Sequence, residues 1–144
     1  MRPRDPGFAA KVRASFARQG MMTLLRAELV AVEAGRVAIA APIRPETSQQ
    51  HGYAHAGLAW TLGDSAAGYS ALSLLAPGEE VLTAEMKVNL LAPAAGARLV
   101  AEGRVLRAGR RLIVAAAEIW AEAPGDAPRR HVATMLGTLV PVAP

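Results

Sequence analysis

The stretch that decides the fold runs from Gln49 to Tyr69 and reads QQHGYAHAGLAWTLGDSAAGY. It begins with polar residues and glycines, and it then becomes a long apolar run with one carboxylate, Asp64. Residues 55–75 contain no proline and are rich in alanine, leucine and glycine, which predicts a helix of about five to six turns. A lone acid in an apolar helix is costly unless it is paired or used, so Asp64 is the first candidate for function.

Small residues occupy much of this predicted helix and include Gly63 and Gly68. Glycine in a helix interior costs about 1 kcal/mol relative to alanine. Two such glycines indicate that another part of the chain packs very close, such as a sheet curled around the helix. Residues 76–78, with sequence APG, end the helix.

The segment before the helix predicts one amphipathic helix and one β-hairpin. Apolar residues recur at helical spacing from Phe8 to Gln19, and Gly20 ends this helix. Two β-prone runs follow, from Met22 to Glu33 and from Arg36 to Ala41. The pair Ala34–Gly35 between them is a turn signal, so the two runs form a hairpin, and a proline-containing loop covers residues 42–54.

Four strand-like segments follow the central helix: Val81 to Leu91, Arg98 to Ala108, Arg111 to Ala121 and Arg130 to Val140. The first of them alternates with period two, and it puts Thr83 on a polar face with Glu85 and Lys87. The order of elements predicts an α+β fold in which an antiparallel sheet of about six strands wraps around one long helix. Residues 1–144 are expected to form a single domain.

The composition limits the classes of function. The chain has 144 residues and no cysteine, so disulfides and thiolate metal sites are excluded. No secretory segment and no stretch long enough to span a membrane is visible, so a cytoplasmic protein without a membrane partner is expected. The net charge of +4 favours a phosphate-bearing ligand. Because no basic stripe with interleaved aromatics is present, a nucleic-acid partner is not expected.

Several motifs together resemble a known family. They are residues 55–57 (HAG), Asp64 with residues 65–68 (SAAG), and supporting motifs within residues 82–93, 103–111 and 133–138. In order and spacing they resemble the hotdog-fold acyl-CoA thioesterases, in the PaaI-like (phenylacetate-pathway) branch. The resemblance implies a homodimer with active sites at the subunit interface, which often pairs again into a tetramer. It implies hydrolysis of an acyl-CoA thioester without a cofactor, since coenzyme A is part of the substrate.

The resemblance also implies roles for individual residues. The acid of the family falls on Asp64, which would act as general base or nucleophile, and its amide-bearing residue falls on Gln49. The backbone N–H that polarises the thioester carbonyl falls on Ala56, with Gly57 next to it. The family usually has Gly-Gly at these two positions, and this chain departs from that pattern at Ala56. A hydroxyl that assists water in some members falls on Thr83.

The chemistry of thioester hydrolysis and the spacing of Ala56 and Asp64 also bear on the dimer. Thioester hydrolysis needs a carboxylate and a donor for the developing oxyanion, and the N–H groups of Ala56 and Gly57 lie at a predicted helix N-terminus. Ala56 and Asp64 are eight residues apart, which is about 12 Å along a helix. One thioester cannot contact both within one chain. If both act on one substrate, they come from two copies of the chain.

Each candidate also has a structural interpretation. Asp64 could be a buried acid paired with Lys87 or an arginine, Gln49 could be a solvated loop residue, and Thr83 is a natural strand residue. His55 is a candidate substrate-binding residue, but its ring is expected to orient the loop or to bond a backbone group. His51 and His55 have the spacing of a metal pair, but the glycine and loop context argue against one, so no metal is expected.

Three arginines cluster near a predicted hairpin turn: Arg107, Arg110 and Arg111. They are candidates to bind the phosphates of coenzyme A, because guanidinium groups match phosphate geometry, although a solvated turn is the alternative. Trp60 and Tyr69 are expected in the core or an interface, and walls of the acyl pocket are the alternative. Two other functions remain open: a hotdog hydratase or dehydratase that uses a histidine with Asp64, and a non-catalytic acyl-CoA-binding protein.

Overall fold

A computed structural model describes residues 1–125 and 127–143. In these residues the chain forms three α-helices, six β-strands and one 3-10 turn. The helices are α1 (Phe8–Arg18), α2 (Gly20–Leu24) and α3 (Ala56–Leu72), the 3-10 turn is Pro45–Thr47, and the strands are β1 (Glu28–Glu33), β2 (Arg36–Pro42), β3 (Glu80–Leu90), β4 (Arg98–Ala108), β5 (Ile113–Glu122) and β6 (Arg130–Val142). Within the described ranges, no helix is both long and apolar enough to cross a membrane.

The six strands form one antiparallel sheet in the order β1-β2-β4-β5-β6-β3. Helix α3 packs against β2, β3, β4, β5 and β6, so the sheet curls around it. The predicted α+β class, with about six antiparallel strands around one long helix, is therefore confirmed. Strands β1 and β3 are the two edges of the sheet, and β3 pairs with β6 alone.

Small residues allow the sheet to approach α3 closely. Ala66 and Ala67 are fully buried on the helix, and a side chain at Gly103 of β4 would collide with the backbone of Ala66. A side chain at Gly63 would collide with the Sδ atom of Met135. The inference that Gly63 marks close packing is confirmed. Gly68 is different, because a Cβ there would meet only Leu139, at 3.9 Å.

Two buried serines attach the β1–β2 hairpin to the end of α3. Ser70 Oγ accepts a hydrogen bond from Val37 N–H at 2.9 Å and donates to Ala66 C=O at 2.7 Å. Ser73 Oγ accepts from Gly35 N–H at 2.8 Å. Each hydroxyl satisfies a backbone group that would otherwise be buried without a partner, which is costly. The helix itself ends at Leu72, three residues before the predicted end at residue 75.

The predicted strand from Met22 to Glu33 is wrong in its first half. Residues Gly20–Leu24 form α2, and β1 begins only at Glu28. Methionine and leucine are good helix formers, and burial of Met22 on the core stabilises this short helix. Gly20 therefore begins a second helix after α1, and Arg26, at φ 54°, turns the chain into β1.

The predicted alternation of β3 is interrupted by a β-bulge at Ala84. Thr83 pairs with Leu139 and Glu85 pairs with the adjacent Thr138, so Ala84 is the extra residue. Thr83 therefore faces α3, on the same side as Met86 and Val88, instead of sharing a face with Glu85 and Lys87. Bulges often redirect a side chain next to an active site, and a strict period of two could not reveal this one.

Candidate active site

The N-terminus of α3 has one free backbone donor. His55 is the N-cap, and its Nδ1 atom accepts a hydrogen bond from Gly57 N–H at 2.8 Å. The backbone N–H of His55 donates to Thr47 C=O at 2.9 Å. Ala56 N–H has no acceptor among the residues that the structure describes. Of the two predicted oxyanion donors, Ala56 is thus the one that is available.

The cleft beside this donor, which we call the Ala56 cleft, has a volume of about 640 Å³. Gln49, Tyr53 and His55 line it together with Ala56 and the mainly apolar residues 90–94. Gln49 stands in a tight loop in which its Oε1 accepts from His51 N–H and its own N–H donates to Tyr53 C=O at 2.8 Å. Three of the predicted site residues, Gln49, His55 and Ala56, therefore lie together.

Asp64 lies in the middle of α3 and contacts β3. The hydroxyl of Thr83 donates a hydrogen bond to Asp64 Oδ1 at 2.7 Å. In residues 1–125 and 127–143, no lysine or arginine lies within 4.0 Å of this carboxylate, so the alternative pairing with Lys87 or an arginine is not what the structure has. A carboxylate with one hydroxyl donor and no cation keeps an oxygen available for chemistry.

A second cleft, the Asp64 cleft, has a volume of about 150 Å³ and includes Asp64 and Thr83. It shares no lining residue with the Ala56 cleft. The helix rise puts Ala56 and Asp64 about 12 Å apart, too far for one carbonyl group to contact both. One chain therefore presents two separate groups of predicted site residues, each with half of the chemistry that thioester hydrolysis requires.

A family model described as the thioesterase superfamily matches residues 51–127. The matched part covers more than half of the chain and includes α3, Asp64 and Thr83.

The chain belongs to the thioesterase superfamily.

Similarity to other proteins agrees with this membership. This thioesterase is 43% identical to a thioesterase family protein from Silicibacter pomeroyi, with a TM-score of 0.92 over 96% of this chain and 100% of that one. It shares its fold with the PaaI protein of the E. coli phenylacetic acid degradation operon, with a TM-score of 0.84 at 17% identity over 97% and 96% of the two chains.

A curated relative from Saccharolobus solfataricus carries a provisional name as an esterase. It is 31% identical over 62% of this chain and 64% of its own length, so the match spans less than two thirds of that protein. Acyl thioester hydrolysis is the chemistry that family membership supports, and the prediction of a thioester hydrolase is confirmed at that level.

The three arginines lie away from the Ala56 cleft of the thioesterase. All are exposed at the end of β4 and in the turn to β5: Arg107, Arg110 and Arg111. Ile113 at the start of β5 pairs with Leu139, which pairs with Thr83, so the three residues form one row across the sheet. The arginine turn therefore lies at the Thr83 end of the sheet, whereas the Ala56 cleft lies near Leu90, at the other end of β3.

Sequence reasoning did not single out four polar residues that line the Asp64 cleft, and it expected a fifth, Tyr69, in the core or an interface; the four are Ser15, Gln19, Ser65 and Glu80. Ser65 and Tyr69 are four residues apart and share one face of α3, but neither lies three or four residues from Asp64, so helical periodicity did not link them to it. Gln19 gives no signal either, because its place depends on how the N-terminal helices pack. Tyr69 is buried as predicted, and burial raises its pKa above the ordinary value of 10, whereas Trp60 stays 39% exposed.

Proposed function

We propose that this chain is a cytoplasmic acyl-CoA thioesterase that acts as a homodimer. Each active site would take the N–H of Ala56 from one copy and the carboxylate of Asp64 from the second copy. The observation that carries this proposal is the separation of the two residues into two clefts of one chain. A symmetric pair of chains supplies two equivalent complete sites.

Exposed apolar residues support pairing of two copies. Trp60 is 39% exposed on the outer side of α3, the same side that carries Gly57 and Asp64. Leu82 and Leu90 of β3 are 63% and 57% exposed, and β3 is an edge strand whose outer hydrogen-bonding groups have no partner strand in the described sheet. Edge strands of this kind add readily to a second strand, so pairing through β3 and α3 would cover Trp60, Leu90 and the open edge of β3. Two such dimers are then expected to associate into a tetramer.

In the proposed reaction, Ala56 N–H donates a hydrogen bond to the thioester oxygen, where negative charge develops. Asp64 removes a proton from the attacking water or attacks the carbonyl carbon itself. When water attacks, its oxygen forms the new C–O bond, the C–S bond breaks, and the CoA sulfur leaves as a thiolate that takes up the proton held by Asp64. When Asp64 attacks, the same C–S cleavage leaves an acyl anhydride on Asp64, and water then hydrolyses this anhydride to the free acid and restores the carboxylate. Thr83 holds the Asp64 carboxylate by the 2.7 Å hydrogen bond, and the free end of the Gln49 amide orients water or substrate.

The first experiment measures release of CoA thiol by the purified protein and its Asp64→Asn variant. We expect the variant to lose at least about a hundredfold in kcat, because the amide is neither a base nor a nucleophile. An equal rate for the two proteins would contradict the proposal. Assay of enoyl-CoA hydration beside thiol release distinguishes a hydratase, and tight CoA binding with no thiol release indicates a binding protein.

A complementation experiment tests the dimer. Ala56→Pro removes the N–H donor and Asp64→Asn removes the carboxylate, so each variant alone should be inactive. When equal amounts are unfolded and refolded together, half of the dimers contain one copy of each, and one of their two sites is intact. We expect about a quarter of the parent activity to return. No recovery, with mixed dimers verified by mass spectrometry, would show that the residues act within one chain.

The proposed role of the three arginines is to hold the phosphates of coenzyme A. We expect Arg107→Gln, Arg110→Gln and Arg111→Gln together to raise KM for an acyl-CoA by about tenfold, because several charge-assisted hydrogen bonds are lost. The matching N-acetylcysteamine thioester lacks phosphates, and its KM should not change. Arg13→Gln on the exposed side of α1 is the control, and an equal effect on both substrates would contradict phosphate binding.

A further inference from the structure

The Asp64 cleft has a polar lining drawn from three parts of the chain. The junction of α1 and α2 supplies Ser15 and Gln19, and α3 supplies Ser65 and Tyr69 beside Asp64. The start of β3 supplies the remaining wall. Besides Glu80, the polar groups around the Asp64 carboxylate are therefore uncharged, whereas the Ala56 cleft is lined mostly by alanines, leucines and a proline.

Gln19 holds a free amide donor at this cleft. Its backbone is extended (φ −80°, ψ 103°) between α1 and α2, and its side chain reaches Ser65 of α3. Its Oε1 atom accepts from Ser65 Oγ at 3.4 Å. The amide nitrogen has no acceptor among the residues of the described ranges, so its two N–H groups are available to a ligand.

The cleft has the size of a short acyl group. Its volume is about 150 Å³, compared with about 640 Å³ for the Ala56 cleft. A cavity of about 150 Å³ accommodates a molecule as large as benzene, which is far smaller than a pantetheine arm. Gly68 contributes to the space, because it presents no side chain at the wall.

The charges at the cleft select against anions. Asp64 and Glu80 both line it, and no cationic side chain is among its lining residues. A carboxylate on the acyl group would be repelled by both acids and would leave water without a compensating charge. A neutral oxygen, in contrast, finds the donors of Gln19 and the hydroxyl of Tyr69. The phenol of Tyr69 is protonated at neutral pH, since its ordinary pKa of 10 lies well above 7 and burial raises the pKa further.

We propose that the Asp64 cleft holds the acyl group of the substrate and recognises a hydroxyl or keto oxygen on it through the side-chain amide of Gln19. The substrate class is then a short acyl-CoA with a neutral oxygen substituent. The inference rests on the proposed thioesterase function and extends it to specificity. An acyl group without this oxygen would cover the partly exposed Gln19 amide and leave it without a partner, which is costly, so such a group binds poorly in the transition state.

The test compares kcat/KM for thiol release from three acyl-CoAs of similar length: butanoyl, 3-hydroxybutanoyl (each enantiomer separately) and succinyl. We expect one hydroxy enantiomer to exceed butanoyl by at least about tenfold, and succinyl to be the poorest substrate. A hydroxy-to-butanoyl ratio near one, or a preference for succinyl, would overturn the inference.

Variants then assign the preference to Gln19. Gln19→Leu keeps the side-chain size and removes the donors, so the hydroxy-to-butanoyl ratio should fall to about one. Thr23→Val, on the exposed side of α2, is the matched control and should keep the parent ratio. Thermal unfolding of both variants verifies that they fold. A Gln19→Leu protein that is folded and keeps the parent ratio would contradict the role of Gln19.

Failure of this inference is distinguishable from failure of the proposed function. If the parent protein releases thiol and Asp64→Asn does not, the proposed thioesterase function is supported, whatever the ratio of kcat/KM between the hydroxylated and unsubstituted substrates. If the parent shows no preference for the hydroxylated acyl group, only the inference about the cleft fails.

Discussion

Thr83 and Asp64 meet across the gap between β3 and α3, where the threonine hydroxyl donates to Asp64 Oδ1 at 2.7 Å. The contact depends on the bulge at Ala84, which turns Thr83 toward the helix. It fixes one oxygen of the carboxylate and leaves the other free. The hydroxyl therefore positions the acid that we propose as base or nucleophile.

Replacement of the Thr83 hydroxyl should lower kcat. A hydrogen bond to a charged group contributes about 1.5–3 kcal/mol, so Thr83→Val should reduce kcat by roughly ten- to a hundredfold. Thr83→Ser keeps the donor and should stay within about threefold of the parent, while Thr134→Val on the outer face of the sheet serves as control. Steady-state kinetics of thiol release give the comparison, and unchanged kcat in Thr83→Val would argue against a positioning role.

Ala56 offers an unusual opportunity to remove one backbone donor. It is the first residue of α3, where proline is well tolerated, and His55 before it is already extended (φ −63°, ψ 142°), as a residue before proline must be. Ala56→Pro should fold normally yet lose about 10²–10³ in kcat, as expected for an oxyanion donor.

Ala56→Gly keeps the N–H and is the control for this variant. Its kcat should stay close to that of the parent. Full activity in Ala56→Pro, with unfolding temperature unchanged, would mean that another group polarises the carbonyl.

The two glycines of α3 should respond in opposite directions to alanine. At Gly63 a Cβ collides with Met135 and lies 3.2 Å from Ile119 Cδ1, so Gly63→Ala should destabilise the protein by about 1–3 kcal/mol. At Gly68 a Cβ meets only Leu139, at 3.9 Å, so Gly68→Ala should stabilise it by about 1 kcal/mol. Urea unfolding measures both, and equal effects would contradict the packing described for Gly63.

Burial of Tyr69 should make stability depend on alkaline pH. Its folded pKa is raised above the ordinary value of 10, mainly because burial disfavours the phenolate. The contribution of Tyr69 to stability is therefore fully present below about pH 10 and is lost as pH rises through the folded pKa. The free energy of unfolding should fall more steeply above pH 10 in the parent than in Tyr69→Phe. The difference in tyrosinate absorbance between the two proteins should appear above pH 10, and a difference already complete below pH 10 would contradict the raised pKa.

The sequence predicted the parts of the fold that depend on local pattern. The central helix, the hairpin at Ala34–Gly35 and the four later strands follow from periodicity and turn residues. The bulge at Ala84 and the helix Gly20–Leu24 were missed, because both depend on contacts with distant residues. Thr83 pairs with Leu139 across the sheet, and Met22 is buried on the core.

In the candidate site, too, local sequence pattern indicated some residues, whereas others depended on contacts between distant parts of the chain. Asp64 could be identified as a candidate from the sequence alone, because an unpaired carboxylate in an apolar helix is energetically costly. The choice of Ala56 over Gly57 as donor required the hydrogen bond between His55 and Gly57, and Gln19 required the packing of α1 and α2 against α3.

The place of β3 in the sheet has a consequence for the order of folding. Its partner strand is β6, the last strand among the described residues, so the segment between them, which contains β4 and β5, must fold into the sheet before Thr83 has a fixed position. Contacts that close such long loops form late, whereas α3 and the β1–β2 hairpin are local structures. During synthesis, a nascent chain would form α3 and most of its core before Thr83, the hydrogen-bond partner of Asp64, was fixed in the sheet. Thr83 would then reach its fixed position only when β6 joins the sheet.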